Sequence, residues 1–310
     1  MTLSELRYIV ALARKRHFGR AAEFCHVSQP TLSVAVKKLE DELGVLLFER
    51  GKNDVGLTPI GLRIVEQAQR VLEEAEQLRS LASEGQDPLN APLRVGAIYT
   101  IGPYLFPYLI PVLHRQTPQM PLIVDENYTS VLREKLKQGE LDVIIIALPF
   151  NEPGILTLPL YSEPFVALVP EAHAWLKSKK DIAIGSLADE NVLLLGAGNC
   201  FRDQVLEVCP DCGGMTDSAG SMQKTLEGSS LETIRHMVAS GMGITVLPCT
   251  AATSSAYSKG LLGVKNFAPP APSRKVALAW RSSFPRPQAI EALRQAILAS
   301  ELACVKWLTK

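Results

Sequence analysis

No uninterrupted apolar run in this sequence reaches the roughly 18 to 20 residues that a membrane-spanning helix requires. The opening MTLSELRYIVALARK has no signal-peptide pattern either, because Glu5, Arg7, Arg14 and Lys15 interrupt it at helical spacing. A cytoplasmic protein with no membrane association is expected. Net charge is also lacking, with 32 Lys and Arg against 32 Asp and Glu, which argues against indiscriminate binding of polyanions. No disulfide framework of the secreted kind is visible. The six cysteines (Cys25, Cys200, Cys209, Cys212, Cys249, Cys304) are even in number but irregularly spaced. In a reducing compartment they are expected to be free, mostly buried thiols, with a clustered subset open to redox or metal chemistry. Finally, there is no Ser-His-Asp signature, phosphate loop or dinucleotide fingerprint, and Gly196-Ala197-Gly198 lacks the context of one. An enzyme is not expected.

What is present divides the 310 residues into more than one domain, with 47% hydrophobic residues, enough for real cores. Residues 3–14 place Leu3, Leu6, Ile9, Val10 and Ala13 on one helical face. A short helix is expected over 21–26. A third begins after Ser28, a suitable N-cap, with Pro30 in its first turn, and stops at Gly44. Strand-like pieces at 46–50 and 55–58 flank the turn-rich 51–54. Three helices and a hairpin predict a winged helix-turn-helix over residues 1–58. Its nine basic residues (Arg7, Arg14, Lys15, Arg16, Arg20, Lys37, Lys38, Arg50, Lys52) barely exceed seven acidic ones, so pattern rather than charge carries that reading.

Residues 59–88 predict a long linker helix and hinge. Ile64, Ala68, Val71, Ala75, Leu78 and Ala82 alternate spacings of four and three, the seam of a dimer coiled coil, and Glu84-Gly85-Gln86-Asp87-Pro88 closes it. Beyond residue 89, strands at 93–98, 122–126, 143–148, 165–169, 192–195, 244–247 and 276–280 alternate with helices at 103–115, 131–138, 230–240 and 288–301. Such alternation predicts α/β structure with mostly parallel sheets. The fold class expected is α+β multidomain: the winged helix, the linker helix, then two α/β subdomains over 89–310. Subdomain I is expected at about 89–162 plus 268–310, and subdomain II at about 163–267.

Five blocks carry a resemblance to a known family: Phe18-Gly19-Arg20-Ala21-Ala22, Ser28-Gln29-Pro30-Thr31-Leu32-Ser33, Lys38-Leu39-Glu40-Asp41-Glu42-Leu43-Gly44, Leu47-Phe48-Glu49-Arg50 and Leu57-Thr58-Pro59-Ile60-Gly61. In this order the chain resembles the LysR-type transcriptional regulators throughout its length. The resemblance implies subdomains like periplasmic binding proteins and a cytosolic homotetramer, a dimer of dimers. It implies binding to palindromic promoter double-stranded DNA and work with RNA polymerase, with no cofactor and no metal. Physics fits a recognition helix at 29–43, whose N-terminal side chains would meet base edges and phosphates. Gln29, Thr31 and Ser33 are candidates near bases, beside Pro30. Ser28, Lys37 and Arg50 are candidates for phosphate.

Residues 95–107, Gly198-Asn199-Cys200-Phe201-Arg202-Asp203-Gln204 and 229–238 are similar to the hydrogen-peroxide-responsive branch of that family. This similarity implies that Cys200 is the peroxidatic thiol, Cys209 its resolving partner, and that Thr100 and Thr129 help hold peroxide. It also implies reset by thiol reductants such as glutaredoxin or thioredoxin. From the residues themselves, Cys200 follows Gly196-Ala197-Gly198-Asn199 and opens a helical stretch. Backbone N–H groups there favour a thiolate, with Arg202 close by, and a thiolate attacks peroxide to give a sulfenic acid. Helical geometry separates the Cα atoms of Cys200 and Cys209 by ~13 Å, so their disulfide demands unwinding. Thr100 and Thr129 follow strands, where ligands of α/β sheets gather, though N-caps would also explain them. Cys212, in Cys209-Pro210-Asp211-Cys212, is a rival resolving thiol; without a second CxxC or a His pair, zinc is not expected. Asn199 stands where relatives commonly carry histidine. The rival function is a regulator of the same family that binds a small metabolite in the crevice between subdomains.

Overall fold

The computed structural model describes residues 1–50, 55–82, 88–213, 228, 230–252 and 260–308. The expected turn at 51–54 and residues 84–87 of the expected hinge lie outside the described residues.

Helix α1 (Leu3–Lys15) starts on a reciprocal cap in which Thr2 Oγ1 accepts from Glu5 N and Thr2 N donates to the Glu5 carboxylate at 2.7 Å. Helix α2 spans Phe18–Phe24, three residues earlier than expected, because His17 Nδ1 accepts from the N–H groups of Gly19 and Arg20 and so caps it. Helix α3 (Gln29–Leu43) buries Leu32, Val36 and Leu39 against Leu6, Ile9 and Leu12 of α1. Each such side chain contributes roughly 1.5–3 kcal/mol. Strands β1 (Phe48–Arg50) and β2 (Val55–Leu57) pair antiparallel as the wing.

Helix α4 (Pro59–Ala82) is capped by Thr58 Oγ1, which accepts from Gly61 N at 2.9 Å. Only glycine fits at 61, since a Cβ there would lie 2.0 Å from the Leu47 carbonyl oxygen. The expected seam divides. Ile64 and Ala68, with Val65 and Leu72, pack on the winged-helix core, whereas Leu62, Val71 and Leu78 are exposed.

In the first lobe, β3 (Leu93–Ile98) pairs parallel with β4 (Leu122–Asn127) and β5 (Val143–Ala147). Helices α5 (Gly102–Gln116), α6 (Thr129–Lys137) and α10 (Pro287–Leu298) cover this sheet. β5, Val-Ile-Ile-Ile-Ala, is buried throughout, as its apolar run requires. The expectation of mostly parallel sheets needs correcting. β6 (Ile155–Pro170) and β10 (Ser273–Arg281) pair antiparallel with each other, and β10 does so with β5. β6 is one strand of 16 residues where the sequence suggested a strand only at 165–169. It crosses from the first lobe into the second and there meets β8 (Ile244–Pro248) and β9 (Leu262–Asn266), both antiparallel. A strand running between lobes meets returning chain, which accounts for the mixed directions. The described sheet thus has the order β4-β3-β5-β10-β6-β8-β7, with β7 at Val192–Leu193.

Helices α7 (Cys200–Val208) and α8 (Leu231–Ala239) bury Phe201, Val205, Leu231, Ile234 and Val238 in the second lobe. Tyr104 of α5 also enters that core, and its hydroxyl donates to Glu232 of α8 at 2.9 Å, tying lobe to lobe. Short elements that sequence pattern did not signal are β9, α9 (Cys249–Ala252) and β11 (Lys306–Trp307) on β6. Among the described residues, no helix is long and apolar enough to cross a membrane.

Candidate functional site

The N-terminal end of α3 is an exposed polar surface. Ser28, Gln29, Pro30, Thr31 and Lys37 are exposed and Ser33 is half-buried. Ser28 Oγ accepts from Thr31 N at 3.3 Å and lies 2.7 Å from Thr31 Oγ1, so this hydroxyl caps the helix as well as facing outward. Lys38 turns the other way and pairs with Glu5 at 3.0 Å, which lowers the Glu5 pKa, together with the Thr2 backbone bond. Arg50 closes β1, but its side chain lies outside the described residues.

A second site sits where β3 and β4 end and α7 begins. Ile98, Tyr99 and Thr100 come from the first strand, Asn127, Tyr128 and Thr129 from the second, and Gly198 to Phe201 from the mouth of α7. Thr100, Thr129 and Cys200, far apart in sequence, therefore line one cavity. Its space for the centre of a water-sized molecule is about 10 Å³, close to what a single water needs. Neither threonine is an N-cap: Ile101 caps α5 and Tyr128 caps α6, with Thr129 the first helical residue. Thr100 is 3% exposed, while Tyr99 and Tyr128 meet edge to face at 5.3 Å at the rim.

Cys200 is the first residue of α7 and half-buried against the first lobe's core. The side chain of Asn199, the N-cap, makes no cap bond; its Nδ2 donates instead to the Gly196 carbonyl at 3.1 Å. Asn199 thus serves the first turn of α7 only through its backbone carbonyl, which accepts from Arg202 N at 3.0 Å, and its side chain offers no acceptor to the N–H groups of Cys200 and Phe201. Arg202, expected beside the thiol, donates to the Leu195 carbonyl at 2.7 Å.

The guanidinium that reaches this site is Arg274 of β10, which sequence reasoning missed. It donates to Thr100 Oγ1 and Thr100 O, each at 2.7 Å, and lies 5.3 Å from the centre of the Phe201 ring. Its Nε donates to Glu163 of β6 at 2.7 Å, both side chains being fully buried. Glu163 in turn accepts from the backbone and hydroxyl of Thr250. A charge beside an apolar run, Glu163 alone in Tyr161–Val169 and Arg274 with Lys275 in Ser273–Trp280, was the signal available. A buried charge needs a partner, and these two partner each other.

The cysteines are not the free thiols expected. Cys209 is bonded to Cys212, with Cα atoms 5.4 Å apart, and Cys249 to Cys304, at 6.1 Å. The first pair lies in the turn after α7, where Cys212 N donates to the Cys209 carbonyl. The second joins the head of α9 to the segment before β11. Cys25, expected buried, is half-exposed and free, as is Cys200. Among the described residues no cluster of three or more His, Cys, Asp or Glu could hold a metal.

A third meeting place joins the linker to the first lobe. Glu73 of α4 and Arg281, the last residue of β10, form a buried ion pair. Arg281 also donates to the carbonyls of Leu136 and Leu141, and Ser283 donates to Glu73. Arg14 of α1 reaches Gln69 of α4 at 2.9 Å.

Two family models match this chain: the bacterial regulatory helix-turn-helix protein of the lysR family over residues 3–62, and the LysR substrate binding domain over residues 86–301. The chain is 39% identical over 299 residues to the DNA-binding transcriptional dual regulator OxyR of Escherichia coli strain K12, spanning 96% of this chain and 95% of that one. A solved full-length OxyR variant from Pseudomonas aeruginosa superposes with a TM-score of 0.87 at 58% identity, covering 100% of this chain and 99% of the other. An H2O2-bound OxyR mutant of Corynebacterium glutamicum gives 0.62 at 32% identity, covering 96% and 93%.

Proposed function

The chain belongs to the LysR family, and we propose that it is a transcriptional activator of oxidative-stress genes whose signal is hydrogen peroxide, read by Cys200. One observation carries the proposal: Cys200, Thr100 and Thr129 share a cavity fit for one very small polar molecule. Hydroxyls donate to and accept from such a molecule, and the α7 terminus favours negative charge on sulfur. The Cys200 thiolate attacks one peroxide oxygen, the O–O bond breaks, and hydroxide leaves to be protonated as water. A sulfenic acid remains on Cys200. The thiol of Cys209, once reduced, attacks that sulfur and displaces a second water, leaving a Cys200–Cys209 disulfide.

Nine helical steps separate Cys200 from Cys209, ~13 Å between Cα atoms at ~1.5 Å per residue, whereas a disulfide needs less than ~7 Å. The bond therefore unwinds α7 and draws Phe201 from beneath Arg274. That trade of local folds changes the surface of the regulatory lobes. In this reading α3 enters promoter double-stranded DNA through Gln29, Thr31 and Ser33, beside Pro30, with Ser28, Lys37 and Arg50 at the backbone. The exposed apolar residues of α4 pair two copies, two such dimers form the tetramer, and RNA polymerase is recruited there. The protein is cytoplasmic, acts as a regulator rather than an enzyme, and is reset by glutaredoxin or thioredoxin. A metabolite regulator would need a crevice of roughly 300–1,000 Å³ at this place. About 10 Å³ at Cys200 speaks against it.

The test is footprinting on operator DNA with reduced and peroxide-treated protein, beside Cys200→Ser. The footprint is expected to change on oxidation in the parent and to stay fixed in the variant. Identical footprints in all three samples would remove peroxide as the signal.

A further inference from the structure

We propose that Cys212 is an exchange thiol that takes Cys209 away from Cys200 and ends the oxidised signal from within. This rests on the peroxide-sensing role of Cys200 and concerns the fate of the Cys200–Cys209 disulfide. The observation is that Cys209 and Cys212 are bonded while α7 is intact from Cys200 to Val208. Their Cα atoms are 5.4 Å apart, held there by a turn over Pro210–Gly213 in which Cys212 N donates to Cys209 O at 3.1 Å.

Two disulfides can store the same pair of electrons' worth of oxidation, and the fold treats them unequally. Joining Cys200 to Cys209 requires unwinding α7 and uncovering Phe201 and Val205, both 2% exposed, together with the bond from Cys209 N to Val205 O. Joining Cys209 to Cys212 keeps all of these. The helix that the first disulfide breaks is restored by forming the second, so refolding of α7 drives the exchange forward. Proximity helps, since the attacking thiol is three residues from its target.

The exchange balances without a further oxidant. The Cys212 thiolate attacks Cys209 Sγ; the Cys209–Cys212 bond forms and the Cys200–Cys209 bond breaks. Cys200 leaves as a thiolate and returns to the mouth of α7. Summed with the two earlier steps, one hydrogen peroxide is reduced to two waters and two thiols, Cys209 and Cys212, become a disulfide. Cys200 ends as it began. With Cys209 tied up, a second sulfenic acid on Cys200 has no resolving partner, so the protein stays refractory until an external dithiol opens the Cys209–Cys212 bridge.

Full-length reduced protein, given one equivalent of hydrogen peroxide, quenched in acid over time and differentially alkylated, tests this. Trypsin helps: cleavage after Lys180, Arg202 and Lys224 places Cys200 on one peptide and both Cys209 and Cys212 on another. A cross-linked peptide pair, fragmented to place the bond at Cys209, is expected first. It should decay as the internally bridged peptide 203–224 appears and Cys200 regains a free thiol. In Cys212→Ser the cross-linked pair should persist several-fold longer. In Cys200→Ser the internal bridge should not form on that timescale. Equal persistence in parent and Cys212→Ser, a first bond at Cys212, or an equally fast internal bridge in Cys200→Ser would each overturn the exchange and leave peroxide sensing standing. A Cys200 that stays unoxidised in every sample would bring down both.

Discussion

Arg274 holds Thr100 at two points, the hydroxyl and the carbonyl oxygen, each at 2.7 Å. The hydroxyl is therefore oriented before anything enters the cavity. With a guanidinium donor occupying one lone pair, its proton points away, toward whatever acceptor the cavity holds.

Thr100→Val keeps the shape and removes that hydroxyl. Peroxide oxidation of Cys200 is expected to slow by about 100-fold, the lower end of the scale of losing one preorganised donor. One Arg274 N–H is left without its acceptor, costing about 1–3 kcal/mol. Competition kinetics against a reference thiol read the first effect and denaturant unfolding the second; Thr100→Ser should recover the rate. An unchanged rate in the valine variant would remove Thr100 from the reaction.

Glu73→Gln leaves the buried Arg281 charge uncompensated between α4 and the first lobe. Breaking one partner of such a pair costs about 3–5 kcal/mol, and the amide, which still accepts a hydrogen bond, should place this variant near the low end. Chemical denaturation followed by circular dichroism measures it. A loss below about 1 kcal/mol would mean the pair is solvated, as surface pairs are.

Burial pushes the Asp142 carboxyl above its ordinary value of 3.8, against the Arg94 N–H bond and the charges of Arg286 and Arg281. From 3.8 up to that raised value the folded chain binds more protons here than the unfolded one, so this residue's contribution to stability falls as pH rises through the window. Asp142→Asn removes the slope, and its stability relative to the parent should improve with rising pH. Paired melting curves across that range suffice, because Glu126, also raised, and Glu152, lowered by Lys137, cancel in the difference. A flat difference would contradict the assignment.

The Cys249–Cys304 bond closes 55 residues and joins the head of α9, in the second lobe, to the chain just before β11, which pairs with β6 at Tyr161 and Ser162. Loop-closure entropy gives it about 4 kcal/mol. Oxidised protein should melt several degrees above reduced protein, and Cys249→Ser should lose most of that difference. The short Cys209–Cys212 loop contributes less, roughly 2 kcal/mol by the same relation. Equal sensitivity to reductant in the variant would place the effect elsewhere.

Local pattern made much of this molecule readable from its sequence. The helices of the winged half, the strands leading to Thr100 and Thr129, and the helical start at Cys200 all follow from spacing and caps within a dozen residues. What escaped was non-local. Glu163 and Arg274 are 111 positions apart and have no periodicity to announce their pairing. β6 read as a short strand because prolines interrupt it. Pro159 lies at a register shift against β10, where a missing N–H does no harm, and Pro164 marks the passage between lobes, where Phe165 N bonds to Pro272 O. The helix α2 began early because a histidine caps it. Cysteine spacing could not reveal which thiols pair.

β10 carries Arg274 near one end and Arg281 at the other, seven residues of strand or roughly 23 Å apart. The first grips the threonine that shares a cavity with Cys200; the second grips the helix that leads to the DNA-reading half. A hydrogen-bonded strand between two neighbours resists stretching, so the two arginines keep a fixed separation along β10. On the proposed mechanism, withdrawal of Phe201 from beneath Arg274 would be felt at Glu73 through this one strand, with no loop between the two arginines to absorb it.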